Sequence, residues 1–171
     1  MAHEKSDVEK IRDLIKGIRI AMLTTVEEDG GLRSRPMATQ KEEFDGELWF
    51  FTSDETPKVG EIRKDRRVNL SYADPDDNRY VSLSGTARVV RDKEKARELW
   101  NPALKAWFPQ GVDEPDLVLL NVQVEKAEYW DSPSSKMVQL VGFVKAIATG
   151  QRYQAGEGEN EKVDLAGAKR S

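Results

Sequence analysis

The sequence predicts a mainly β protein, an antiparallel barrel of six strands with helices packed on its outside. Six strand-like segments occur, and most neighbours are separated by short runs of turn-forming residues. Gly85 interrupts one of these segments, where a bulge would allow the sheet to coil. Hairpin connections of this kind favour a closed antiparallel barrel over a doubly wound parallel sheet.

The six predicted strands share β-branched and aromatic composition, and several alternate between apolar and polar residues. They are Ile18–Val26, Leu32–Gln40, Glu47–Thr52, Arg67–Ala73, Tyr80–Val90 and Leu117–Trp130. Turn formers such as EEDGG and DPDDN connect consecutive pairs. These connections predict hairpins.

Four segments have helix-start signals and apolar residues at helical spacing. They begin at Ser6, Thr56, Asp92 and Ser132. The first contains a capping box, and the third is expected to restart at Pro102 and to bury a stripe that includes Trp107. The fourth is expected to close the domain before Gly150.

The length of 171 residues predicts one domain, assigned to residues 1–150. Residues 151–171 are polar and glycine-rich, and their candidate anchors are Tyr153, Val163 and Leu165. Such a composition predicts a mobile C-terminal tail.

Composition excludes several classes of function. The chain has no cysteine, which excludes disulfides, thiolate nucleophiles and cysteine zinc sites. Its one histidine, His3, lies in a terminus where it is poorly placed to act as a base or ligand. The net charge of −4 argues against nucleic acid as a partner. No apolar run approaches the roughly 20 residues that cross a bilayer, so we expect a cytoplasmic protein with no membrane partner.

The segment LWFFTSDETPKVGEI passes abruptly from a hydrophobic strand to a polar helix start. Thr56 before Pro57 marks a helix N-terminus, whose free N–H groups and dipole favour an anion. Lys58 adds a positive charge at that end, and Thr52 and Ser53 can add hydroxyl donors. Phosphate binding is one interpretation. The alternative is that Thr56 caps the helix and Lys58 is a solvated surface residue.

The second segment of interest is RSRPM, residues 33–37. Alternation along a strand places Arg33, Arg35 and Met37 on one face. Pro36 cannot donate to a strand ladder, which predicts an edge or a bulge there. The arginines are either solvated charges or, together with Lys58, the lining of a site for phosphate and an extended polar ligand.

Four motifs in this order resemble the pyridoxamine 5′-phosphate oxidase-like flavoproteins, and within them the general stress protein 26 branch. They are RSRPM, LWFFTS, the helix with Lys58, and EYWDSP. The resemblance spans roughly Val8 to Gly150. It implies a split β-barrel, a homodimer, and FMN bound in a groove between the two barrels.

The resemblance also implies roles for individual residues. Arg35, Pro36 and Met37 would run along the isoalloxazine ring, with their backbone hydrogen-bonded to its edge. The ribityl chain and phosphate would be reached from the end of the third strand and from the helix start, with Arg33 as a weaker phosphate contact. These residues are Phe51, Thr52, Ser53 and Lys58. Trp130 matches an aromatic position near the flavin, with the other subunit as a candidate source.

The sequence departs from true pyridoxamine phosphate oxidases after Trp130. The Arg and His that bind substrate in those enzymes are replaced here by SPSSK, residues 132–136. A flavin-dependent oxidoreductase of unknown substrate, with a nicotinamide or another small molecule as electron donor, is one hypothesis. A non-enzymatic flavin-binding stress protein and a barrel-shaped binding module are the alternatives, and deazaflavin or haem stays open as the ligand.

Overall fold

The structure is a computed structural model that describes residues 6–40, 43–131, 145, 147–150 and 160–166. Three complete α-helices and seven strands lie in these ranges, besides the helical residues 145 and 147–149. The helices are α1 Asp7–Ile15, α2 Pro57–Lys64 and α3 Lys93–Leu99. The strands are β1 Ile20–Val26, β2 Leu32–Ala38, β3 Glu47–Ser53, β4 Arg67–Asp74, β5 Arg79–Val90, β6 Leu117–Asp131 and β7 Asn160–Asp164. No helix within the described ranges is long and apolar enough to cross a membrane.

Local sequence signals account for the helix starts. The Ser6 hydroxyl accepts from the backbone N–H of Glu9, and the Glu9 carboxylate accepts from the backbone N–H of Ser6. This confirms the predicted capping box. Asp92 caps α3 through the N–H of Lys95. The predicted restart at Pro102 forms a short 3₁₀ turn rather than a second α-helix.

All strand pairs are antiparallel, and the sheet order is β2-β1-β4-β5-β6-β3 with β7 beside β6. The two ends of this order, β2 and β3, approach each other as the sheet curls. The predicted mainly β fold with six antiparallel strands in a split barrel is therefore confirmed. Because β2 ends the order, the strand that contains Pro36 is an edge strand, as its missing N–H requires.

Two apolar cores lie on opposite faces of the sheet. The larger fills the concave side, where Leu23, Leu70 and Leu83 are fully buried or nearly so. The smaller lies between β3 and the segment of α3 and its 3₁₀ turns, and it contains Leu104 and Phe108. The predicted stripe of that segment is only partly core, because Trp107 is 70% exposed.

A bulge at Gly85 confirms the predicted break in β5. The pairing of β5 with β6 shifts register between Ser84 and Gly85. A Cβ atom placed on Gly85 would overlap the carbonyl oxygen of Gln123 on the neighbouring strand. The missing side chain therefore lets the two longest strands approach closely where the sheet bends.

We expect Gly85→Ala to destabilise the fold by about 1–3 kcal/mol, the usual cost of overpacking a closely packed position. The overlap involves backbone atoms of β6, so rotation of a side chain cannot relieve it. Urea unfolding followed by circular dichroism measures the change. Gly60→Ala on α2, where a Cβ meets no atom within 4 Å, is the matched control and should be neutral or stabilising.

The strand β7 is a feature that the sequence does not predict. It lies in residues 151–171, the expected tail, and pairs with β6 from Lys126 to Trp130. Leu165 is 3% exposed and joins the main core, against which Val163 also packs. Two of the three anchors named from the sequence thus attach residues 160–166 to the barrel. The N-terminal part of the predicted closing helix falls outside the described residues, whereas 145 and 147–149 are helical.

Candidate functional site

The strand β2 presents its residues as alternation predicts. Met37 is buried and Arg35 is partly buried on the concave side, whereas Pro36 is exposed on the opposite face. Arg33 is exposed too, and its guanidinium lies 3.9 Å from the Glu27 carboxylate. The outer backbone edge of β2 carries no strand partner in the described ranges. That edge is available for hydrogen bonds to an extended ligand.

Arg35 is tied to two neighbours rather than solvated. Its guanidinium donates to the Thr25 hydroxyl at 2.7 Å and to the Glu61 carboxylate at 3.1 Å. The Arg35 and Glu61 side chains are only 15% and 13% exposed. The interpretation of Arg35 as a solvated charge is therefore wrong, because its head group is fixed at the junction of β1, β2 and α2.

Lys58 lies beside this junction, in the first turn of α2, and is partly buried. Burial lowers the pKa of its ammonium, the nearby Arg35 guanidinium lowers it further, and Glu61 raises it. The Lys58 ammonium makes no ion pair or hydrogen bond with any residue in the described ranges. Lys58 is therefore partly buried rather than fully exposed. Two cations share one carboxylate here, and the site has an excess of positive charge.

The N-terminus of α2 adds to this positive potential. Thr56 is the N-cap residue, yet its side chain makes no capping bond and donates instead to the Ser53 carbonyl at 2.8 Å. Pro57 occupies the first turn and has no N–H group. The Val59 N–H donates to the Thr56 carbonyl at 3.1 Å, so the Lys58 N–H is the first-turn donor that the cap side chain leaves without an acceptor. This disposition favours an anion.

The other predicted contact residues lie at the end of β3, and their side chains have different surroundings. Thr52 is buried, with its hydroxyl 3.5 Å from that of Thr56. The Ser53 hydroxyl donates to the Asp116 carboxylate at 2.6 Å. The Phe51 side chain packs in the smaller core, with its ring 5.9 Å from the Trp100 ring in an edge-to-face contact. The Phe51 side chain is therefore part of the smaller core.

Trp130 lies on the other face of the sheet from Arg35. It is 42% exposed on the convex face, opposite Tyr80 in the β5–β6 register. Arg35 and Met37, by contrast, lie on the concave side of the sheet. The structure thus brings Arg35 and Lys58 together but does not bring Trp130 to them.

The convex face carries an exposed apolar row that leads from β2 to Trp130. Its members are Ala38, Ile20, Ala73, Tyr80 and Trp130. Strand pairing places Ala38 beside Ile20, Ala73 beside Tyr80 and Tyr80 beside Trp130, and Ile20 and Ala73 both adjoin the β1–β4 pair Ala21–Tyr72. Ile20 is 52% exposed and Tyr80 is 38% exposed. Exposed apolar side chains in one contiguous row are typical of a surface that meets a partner.

A family model described as pyridoxamine 5′-phosphate oxidase like matches residues 6–154. The chain belongs to this family. The resemblance drawn from its four motifs is confirmed. The split-barrel fold of the pyridoxamine 5′-phosphate oxidase-like family is also the fold described above.

Three similar proteins extend this comparison. The protein bli-3 of Neurospora crassa is 30% identical over 156 residues, which cover 84% of this chain and 75% of that protein. The general stress FMN/FAD binding protein of Xanthomonas citri is 32% identical, with a TM-score of 0.65 over 74% of this chain and 89% of its own. The general stress protein 26 of Bacillus anthracis is 27% identical, with a TM-score of 0.63 over 71% and 92%.

Three residues that contact or flank the predicted site residues were not identified from the sequence. Thr25 and Glu61 hold Arg35, and Tyr80 lies beside Trp130. The sequence could have indicated Glu61, because it follows Lys58 by three positions and so lies on the same helix face. Thr25 gave a weaker indication, because it is a hydroxyl residue at a core position of an alternating strand.

Proposed function

We propose that this protein binds FMN, with the phosphate held by Lys58, Arg35 and the N-terminus of α2. The observation that supports this most is the partly buried Lys58 ammonium, which has no anionic partner among the described residues. A phosphate group supplies the charge that the site lacks, and charge-assisted hydrogen bonds to it are strong. Glu61 neutralises only one of the two cations.

The residues of β2 and β3 fit the remainder of such a ligand. On the free outer edge of β2, the Pro36 carbonyl is available as an acceptor, because strand alternation directs the backbone groups of Arg35 and Met37 toward β1. Thr52 and Thr56 offer hydroxyls between that edge and the helix start. When bound, FMN supplies hydride and electron transfer. The protein binds and orients it and needs no nucleophile of its own.

We further propose a symmetric homodimer in which the flavin lies between two copies. A small barrel fills its interior with its own side chains, and the concave side here is occupied by the main core. The ring must then lie outside the barrel, where one chain covers it incompletely. The apolar row from Ala38 to Trp130 offers a self-complementary patch. A second copy packed on this patch would bring its Trp130 toward β2 of the first copy.

The proposed activity is that of a flavin-dependent oxidoreductase with a small-molecule electron donor such as a nicotinamide. A general stress FMN/FAD binding protein among the similar structures supports the flavin. The same similarity is equally compatible with a non-enzymatic flavin-binding stress protein. Anaerobic reduction of the bound flavin by NADH or NADPH, followed at the visible flavin band, separates the two. Reduction within seconds supports the enzyme, and an unreduced flavin supports the binding protein.

Equilibrium titration tests the proposed cofactor. We expect FMN to bind markedly more tightly than riboflavin, because the charge of the site is directed at the phosphate. FAD serves as the second comparison, since its phosphate is extended by a nucleotide. Equal affinity for FMN and riboflavin would contradict the proposed phosphate site.

We predict no significant oxidation of pyridoxamine or pyridoxine 5′-phosphate. The chain has no counterpart of the Arg and His that follow the corresponding tryptophan in true oxidases, and its single histidine is His3. Formation of pyridoxal 5′-phosphate by the FMN-loaded protein is the measurement. A rate on the order of 1 per second or faster, typical of enzymes, would show the prediction to be wrong.

A further inference from the structure

Three polar side chains from three elements form a closed hydrogen-bonded triad under the proposed phosphate site. Arg35 of β2 donates to Thr25 of β1 and to Glu61 of α2. The Thr25 hydroxyl in turn donates to the same Glu61 oxygen at 2.5 Å. Thr25 is completely buried. This triad fixes the plane of the Arg35 guanidinium.

The triad uses only part of the donor capacity of Arg35. A guanidinium carries five N–H groups, and the triad takes one from each terminal nitrogen. The others make no hydrogen bond within the described ranges. They stay available to an anion, in a region where the charge of Lys58 also acts. Arg35 thus keeps free donors after the triad has formed.

A carboxylate beside an anion site needs an explanation. By itself Glu61 repels a phosphate, and a buried ion pair contributes little to folding stability once desolvation is counted. Its contact with Arg35 offers a reason for its place in the triad. A rigid guanidinium loses less conformational entropy when it binds a ligand than a mobile one does.

Resting on the proposed function, we propose that Glu61 is a positioning residue that orients Arg35 toward the phosphate of FMN. It acts through Arg35 and does not itself contact the ligand. Thr25 completes the orientation by bonding both partners. Glu61 contributes to FMN binding by fixing the geometry of Arg35 more than through its own charge.

Two substitutions of Glu61 distinguish the effect of its charge from the effect of its hydrogen bonds to Arg35 and Thr25. Glu61→Gln keeps the length of the side chain and an oxygen acceptor for Thr25 and Arg35 but removes the repulsion. We expect it to bind FMN about tenfold more tightly than the wild type, the order expected for one charge several ångströms away. Glu61→Ala removes the charge and the acceptor together. It should bind FMN about tenfold more weakly than Glu61→Gln, the scale of one lost hydrogen bond to a charged group.

A double-mutant cycle tests whether Glu61 acts through Arg35. In an Arg35→Met background, Glu61→Gln and Glu61→Ala should bind FMN equally. Riboflavin affinity should be the same for both Glu61 variants, because riboflavin has no phosphate. Equal FMN affinity of the two variants in the wild-type background would overturn the inference alone. A difference in FMN affinity between the two Glu61 variants that persists in the Arg35→Met background would also overturn it. A parallel loss of riboflavin binding would do the same. Absence of FMN binding by the wild-type protein would overturn the proposed function and this inference together.

Discussion

Replacing Ile20 with glutamate should convert the proposed dimer into monomers and remove most of its affinity for FMN. Ile20 is the most exposed large side chain of the apolar row and lies opposite Ala38 of β2. An isologous interface contains every substitution twice. An unpaired buried charge costs several kcal/mol, so the dimer dissociation constant should rise by more than about 100-fold.

Light scattering at micromolar protein measures the assembly, and fluorescence titration measures FMN binding at several protein concentrations. If the site is shared, FMN should tighten the wild-type dimer, since ligand binding and association are linked. Trp107→Glu is the matched control, because Trp107 is even more exposed but lies outside the row. A wild-type monomer that binds FMN with an affinity independent of protein concentration would contradict the shared site.

Lys58→Met should weaken FMN binding by about 1.5–3 kcal/mol, the usual value of a hydrogen bond to a charged group. Methionine keeps most of the length and apolar stem of the side chain and removes only its charge. Riboflavin binding should change little. Folding stability of the cofactor-free protein should be maintained or rise, because burial and the Arg35 guanidinium already lower the pKa of this ammonium.

The control for this substitution is Lys64→Met at the other end of α2. Lys64 is exposed and pairs with Glu28 at the surface, so its loss should leave FMN affinity within experimental error. The measurement is isothermal titration with FMN and riboflavin on the flavin-free protein. An unchanged FMN dissociation constant for Lys58→Met, with an intact circular dichroism spectrum, would remove Lys58 from the phosphate site.

The orientation of β2 could be predicted from the sequence because its pattern has a strict period of two. That period places Arg35 with Met37 and leaves Pro36 on the other face, as the structure shows. The partners of Arg35 could not be predicted in this way. Thr25 is 10 residues away across the β1–β2 hairpin, whereas Glu61 is 26 residues away and only the packing of α2 over β1 brings it to them.

The face on which Phe51 lies could not be read from the sequence for a different reason. The run LWFF is apolar at every position, so alternation carries no information about which side chain faces which core. Phe50 enters the main core, whereas Phe51 enters the smaller one beside α3. The existence of two cores on the two faces of β3 decides this, and it is a property of the whole fold.

The position of β7 matters for anyone who shortens or extends this chain. β3 and β7 pair with the same edge of β6 one after the other, β3 over Leu117–Gln123 and β7 over Lys126–Trp130. Removing β7 would leave five backbone positions of β6 open next to the exposed Trp130 ring. An open edge beside an apolar surface is a template for strand addition and aggregation. An affinity tag is therefore better fused beyond residue 166 than substituted for the residues that precede it.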